Sequence, residues 1–78
     1  SVPVQAADNE RSSSQTVKAQ LSLRDLILSG ELKPGDRIAE LSVVERLGIS
    51  RTPIRMALVR LEEEGFLEAI PSGGFAVK

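Results

Sequence analysis

The 78-residue chain contains no cysteine and no histidine. The first absence excludes a disulfide framework and thiolate metal sites. The second excludes imidazole-ligated metals and histidine acid–base catalysis. Tryptophan and tyrosine are missing too. Phe66 and Phe75 are the only aromatics, too few for a platform on which single-stranded nucleic acid stacks. No apolar run approaches the roughly 18–20 residues of a membrane span, and the polar start lacks the apolar core of a secretory signal. The net charge of −1 does not by its total point to a polyanionic partner. Phosphate-loop and nucleophile-elbow patterns are also absent. Glu62, Glu63 and Glu64 are a run on a helix rather than a catalytic carboxylate pair. The chain therefore reads as a single small domain with no cofactor site and no enzymatic chemistry.

The chain divides near Thr16. Residues 1–15 are polar, carry a serine run and lack periodicity, the pattern of a disordered leader. From residue 16 to 78 the sequence is patterned. Ala19, Leu23, Leu26 and Ile27 recur at helical spacing, with Thr16 placed to cap the helix and Gly30 to end it. Pro34-Gly35 marks a turn, and Arg37-Ile38 suits a very short strand. A second helix lies within residues 40–47. Its start is open: Ser42 and Glu45 form an S-x-x-E capping box that favours a late start, whereas a start near Glu40 gives a more usual length. Gly48 ends it and Ile49 packs back toward the core.

Ser50 caps a third helix over residues 51–64, with Pro53 in its first turn, where a missing N–H costs little. Ile54, Leu58 and Leu61 face the core, Ala57 allows close helix contact, and Gly65 stops the helix. Two short β-prone runs, residues 66–70 and 75–78, flank Pro71-Ser72-Gly73-Gly74 and predict a hairpin, with Phe66 and Phe75 closing the core from the sheet side. The fold class is mainly α with a small hairpin.

Two features carry chemistry. Leu47-Gly48-Ile49-Ser50 is a tight turn between short helices, the pattern of a helix-turn-helix and equally of an ordinary αα-corner. In the DNA-binding form, the start of the second helix enters the major groove. The charges then separate: residues 46–60 hold Arg46, Arg51, Arg55 and Arg60 and no acid, whereas residues 61–68 hold Glu62, Glu63, Glu64 and Glu68 and no base. The third helix is thus charged against its own dipole, at a cost of a few tenths of a kcal/mol per misplaced charge. A polyanion at its N-terminal end makes sense of that arrangement; a solvated pattern without a role is the plainer reading. On a wheel of about 100° per residue, Arg51, Thr52 and Arg55 centre roughly 100° from the core stripe, with Arg51 borderline above Leu58. Arg60 reads as structural, paired with Glu63 or Glu64. The two glycines of the hairpin tip, Gly73 and Gly74, suit either close approach to a groove or simply the turn.

At these residues the sequence resembles the GntR family of bacterial transcriptional regulators. The resemblance covers residues 20–78. It rests on Leu23-Arg24, Ile27 to Leu32, Pro34 to Ile38, the run from Leu47 through Ser50-Arg51-Thr52-Pro53-Ile54-Arg55, then Ala57-Leu58, Arg60-Leu61, Glu64-Gly65 and Gly74-Phe75. The Ser50-to-Arg55 run is most similar to the branch with an all-helical ligand-sensing domain. The resemblance implies a winged helix-turn-helix of three helices plus a wing, in a cytoplasmic regulator. It implies that Ser50, Arg51, Thr52, Pro53 and Arg55 help contact double-stranded operator DNA, that Gly73 and Gly74 of the wing reach the minor groove, and that Arg37 touches phosphate. It further implies a homodimer on a pseudo-palindromic site, with a small-molecule effector sensed by a C-terminal domain absent from these residues. The chain alone is then expected to be a monomer or weak dimer. Its affinity would be lower by the roughly 10²–10⁴-fold that linkage supplies. Two departures stand out: Leu41 takes the place of a basic DNA-contacting residue, and Met56 that of a common glutamate. The rival readings are a protein–protein winged helix, against which Arg51 and Arg55 argue, and the DNA-binding head of a regulator fused to an aminotransferase-like domain.

Overall fold

The computed structural model describes the backbone of residues 2–78 and the side chains from Ser13 onward. Five elements follow in order: α1 (Val2–Leu28), α2 (Glu40–Leu47), α3 (Arg51–Glu63), β1 (Leu67–Ala69) and β2 (Phe75–Val77). The expected leader at residues 1–15 falls mostly outside the described side chains. The backbone of residues 2–15 lies in α1.

Thr16 does not cap α1. It lies within the helix and is buried, because it stands three residues before Ala19 and seven before Leu23. It therefore extends the stripe that those two bury. That stripe packs chiefly against α3, which buries Ile54, Ala57, Leu58 and Leu61. Ala19 and Ala57 are both fully buried, so the α1–α3 contact includes small side chains. Leu23, Ile54, Leu61, Leu67 and Val77 are the largest fully buried side chains, each stabilising the fold by about 1.5–3 kcal/mol.

The strands pair antiparallel, with Leu67 opposite Val77, Glu68 opposite Ala76 and Ala69 opposite Phe75. Leu67 and Val77 are the buried pair that closes the core. Phe66 and Phe75 were expected there, but both are only half-buried at its edge. Phe66 precedes β1, in the bend that leaves α3, and lies under the Arg24 guanidinium at 5.6 Å.

The free edge of β2 is covered by residues 35–38. Gly35 N–H donates to Val77 O and Val77 N–H to Asp36 O, both at 2.8 Å, and Ile38 N–H donates to Phe75 O at 2.9 Å. Arg37 pairs with Ala76 as a single antiparallel bridge, the short strand expected there. The preceding turn is closed by Asp36 N–H on Lys33 O at 2.9 Å, with Gly35 at φ 92, a conformation open to glycine at the third position of a turn whose second residue is proline.

Two residues, Ile38 and Ala39, separate this bridge from α2. The helix starts at Glu40 with Ala39 at its N-cap and no side-chain cap bond, so the Ser42–Glu45 box is not used. The chain leaves the sheet directly into the helix, and Glu40 places an acid in the first turn, where the dipole favours it. Gly48 ends α2 at φ 65, ψ 30, its N–H on Val44 O. This left-handed residue turns the chain sharply. Ile49 is buried, and Ser50 leads into α3 with extended backbone, again without a side-chain cap bond.

Candidate nucleic-acid interface

The start of α3 presents two faces. Pro53 and Ile54 are buried, while Arg51, Thr52, Arg55 and Met56 are exposed. Arg51, borderline on the wheel, has a side chain 58% exposed, and Arg55 one 60% exposed. Arg55 lies off the buried stripe, and Arg51, although above Leu58 on the wheel, is left uncovered at the helix start while Ile54 beside it is buried. Pro53, expected among the contact residues, sits on the buried side of the first turn of α3. Ser50 and Thr52 are exposed beside the arginines.

The first turn of α3 contains no acid. The compensating charge comes from α2: Glu40 Oε1 accepts from Arg51 Nε at 2.9 Å, and Glu40 Oε1 and Oε2 both accept from Arg55 Nε at 3.1 Å. One carboxylate thus sits between two like charges one helical turn apart. The Arg51 hydrogen bond, aided by Arg55 and opposed by partial desolvation, holds the Glu40 carboxyl below its ordinary range. Sequence reasoning missed Glu40. Its signal was an acid at the start of α2, the helix that a tight turn folds against α3.

Arg37 and the hairpin tip also come together. Arg37 Nη2 donates to Ser72 Oγ at 2.9 Å and to Gly73 O at 3.5 Å. Gly73 and Gly74 are exposed at φ 111 and φ 83, and the tip is closed by Ile70 N–H on Gly74 O and Gly73 N–H on Ile70 O. Arg37 and Glu40 are three residues apart, so their backbones lie within about 11 Å. The segment from Arg37 to Glu40 therefore ties the wing tip to the start of α3. Leu41 stands at its end, 62% exposed.

One pairing differs from expectation. Arg60 makes no ion pair with the described residues, and one of its two expected partners, Glu64, is taken by α1: Arg24 Nη2 donates to its two oxygens at 2.7 and 2.6 Å and Gln20 Nε2 to Oε1 at 2.8 Å. Those bonds hold the Glu64 carboxyl below its ordinary range. Arg46 pairs with Glu31, away from the arginines of α3. Among the described residues no helix is long and apolar enough to cross a membrane.

Comparison with known proteins agrees with this geometry. Residues 14–77 match the model of the bacterial regulatory proteins of the gntR family. The chain is 42% identical over 55 residues to the HTH-type transcriptional regulator YdhC of Bacillus subtilis, covering 70% of this chain and 25% of that protein. It is 32% identical over 72 residues to an HTH-type regulator of Agrobacterium vitis, covering 92% of this chain and 42% of the relative. The chain thus spans less than half the length of either. The DNA-binding domain of AraR, solved in complex with its operator ORR3, superposes with a TM-score of 0.72 at 26% identity over 82% of this chain and 78% of that one. The family and these relatives are transcriptional regulators, not enzymes. With three helices, a hairpin wing and an arginine-bearing α3 in the family's order, the chain belongs to the gntR family of bacterial regulators and has the winged helix-turn-helix of its DNA-binding domain.

Proposed function

We propose that this domain reads a double-stranded operator with the start of α3 in the major groove and the wing tip beside it. The observation that carries the reading is the exposed pair Arg51 and Arg55, held side by side by Glu40 at the N-terminal end of α3. Arginine grips guanine O6 and N7, or a phosphate, through two parallel hydrogen bonds. Thr52 adds a hydroxyl and a methyl for phosphate or thymine. Arg37, braced against the wing, supplies charge near the backbone, and Gly73 and Gly74 let the tip approach the minor groove. Two such domains on a two-fold operator would read half-sites about one helical turn apart, which is the homodimeric arrangement we assign to the working regulator. A small-molecule effector acts, in this reading, outside the winged helix, and operator occupancy is what it changes. The compartment called for is the cytoplasm, where a bacterial operator lies.

The test is selection from a randomised duplex pool by the 78-residue chain, followed by fluorescence anisotropy on the selected duplex and a scrambled one across a salt series. Log affinity should fall with log salt by about 0.9 for each phosphate neutralised. The selected duplex should bind more tightly than the scrambled one, and the Arg51→Ala/Arg55→Ala variant should lose the preference. Failure to enrich any sequence, with no duplex bound at low salt, would overturn the proposal.

A further inference from the structure

The ion pairs at the start of α3 use one nitrogen of each arginine. Glu40 accepts only from Nε of Arg51 and Nε of Arg55. The terminal nitrogens of both arginines have no partner among the described residues. Other arginines of the domain are committed differently: Arg24 spends Nη2 on Glu64, and Arg37 spends Nη2 on the wing. A guanidinium can offer a paired donor edge side-on, through Nε and one Nη, or end-on, through both Nη. With Nε occupied, only the end-on fork remains, and it remains on both arginines at once.

We propose that Glu40 is the positioning residue that sets the sequence selectivity of this interface, an inference that rests on the DNA-reading function above. Its carboxylate fixes both guanidinium planes from behind and leaves their end-on forks outward. It also cancels part of the attraction that any phosphate exerts on the pair. Backbone attraction is blind to sequence and supplies most non-specific binding, whereas a bidentate fork on a base edge is specific. One carboxylate therefore acts on both sides of the selectivity ratio: it favours the oriented base contact and weakens the unoriented phosphate contact. Glu40 itself touches no base in this scheme. It acts through Arg51 and Arg55.

The experiment compares wild type, Glu40→Gln and Glu40→Ala on two labelled duplexes, one selected from a randomised pool by the wild-type chain and a scrambled control of the same composition. A thermal melt of each protein accompanies the titrations. Glu40 lies outside the buried core, so all three should melt as folded domains. Glu40→Ala should bind the selected duplex about tenfold more weakly and the scrambled duplex several-fold more tightly, with a steeper salt dependence on the latter. Glu40→Gln keeps the shape and one acceptor without the charge. It should recover part of the affinity for the selected duplex while still binding the scrambled one too well. The opposite movement of the two affinities is what a purely structural role does not produce. If both affinities fall together, or neither changes, Glu40 has no such role although the domain still reads DNA. If wild type enriches no sequence, the DNA-reading function falls first and this proposal with it.

Discussion

Because Arg51 and Arg55 share one carboxylate, their effects on DNA binding should not add. Neither is in the core, and their side chains are 58% and 60% exposed, so alanine at either position should leave folding within about 0.5 kcal/mol of wild type. For binding, a bidentate arginine contact discriminates by about 1–3 kcal/mol, roughly five- to 150-fold in affinity. Independent contacts would cost about 2–6 kcal/mol together. Removing Arg51 alone, however, leaves Glu40 facing Arg55 only. The local charge falls from one net positive to zero, and the surviving arginine is more fully neutralised. Each single substitution thus also spoils part of its neighbour, and the double variant should cost about 0.5–1.5 kcal/mol less than the sum of the singles. The assay is anisotropy on a selected duplex with wild type, both single variants and the double variant at matched salt. Arg60→Ala serves as control: Arg60 is half-buried farther along α3, without an ion pair among the described residues, and its loss should change binding little. An additive cycle would refute the shared carboxylate. Equal weakening by Arg60→Ala and Arg51→Ala would refute the assignment of the face.

Three further outcomes are expected. Leu41→Arg, which adds a cation beside Glu40 at a position now 62% exposed and apolar, should tighten duplex binding and steepen the log–log salt slope by about 0.9; an unchanged slope would place Leu41 off the DNA. Leu61→Ala, at a fully buried position, should cost about 2–5 kcal/mol and lower the melting temperature by about 10 °C or more in calorimetry or a CD melt. Glu40 and Glu64 are both more acidic folded than their ordinary value of 4.5. Their contribution to stability is therefore complete above that value and is lost as pH falls through the lower folded values. With no histidine to titrate between pH 5 and 8, the melting temperature should be level there and fall on acidification below about 4.5. A Glu40→Gln/Glu64→Gln variant should fall less steeply.

The reversed charge of α3 shows how far local reasoning reached. It was legible from the order of Arg51, Arg55 and the later glutamates, because helix dipoles and i, i+4 neighbours are local properties. It pointed to the end of the helix where Arg51 and Arg55 are exposed, yet it overstated the imbalance: the acid missing from the first turn of α3 is supplied by Glu40, eleven residues before Arg51. The same limit explains Arg60. Within α3 its natural partners are Glu63 and Glu64, but Glu64 is claimed by Arg24 and Gln20, forty or more residues away in the chain.

By itself the sequence determined the elements and their order. Helical spacing from Ala19 to Ile27 and from Ile54 to Leu61, the Pro34-Gly35 and Gly48 turns, and β-prone runs around Gly73-Gly74 all act over a few residues, where steric and periodic rules suffice. It also carried the family resemblance and the exposed arginines. What only the tertiary structure decided depends on contacts between distant segments: that Thr16 is buried rather than a cap, that Leu67 and Val77 rather than the phenylalanines close the core, that α2 begins at Glu40, and that Arg37 reaches the wing. The physical reason is common to all four. Each depends on which partner wins a side chain or backbone group among several that local geometry permits, and that competition is settled only when the helices and hairpin pack together.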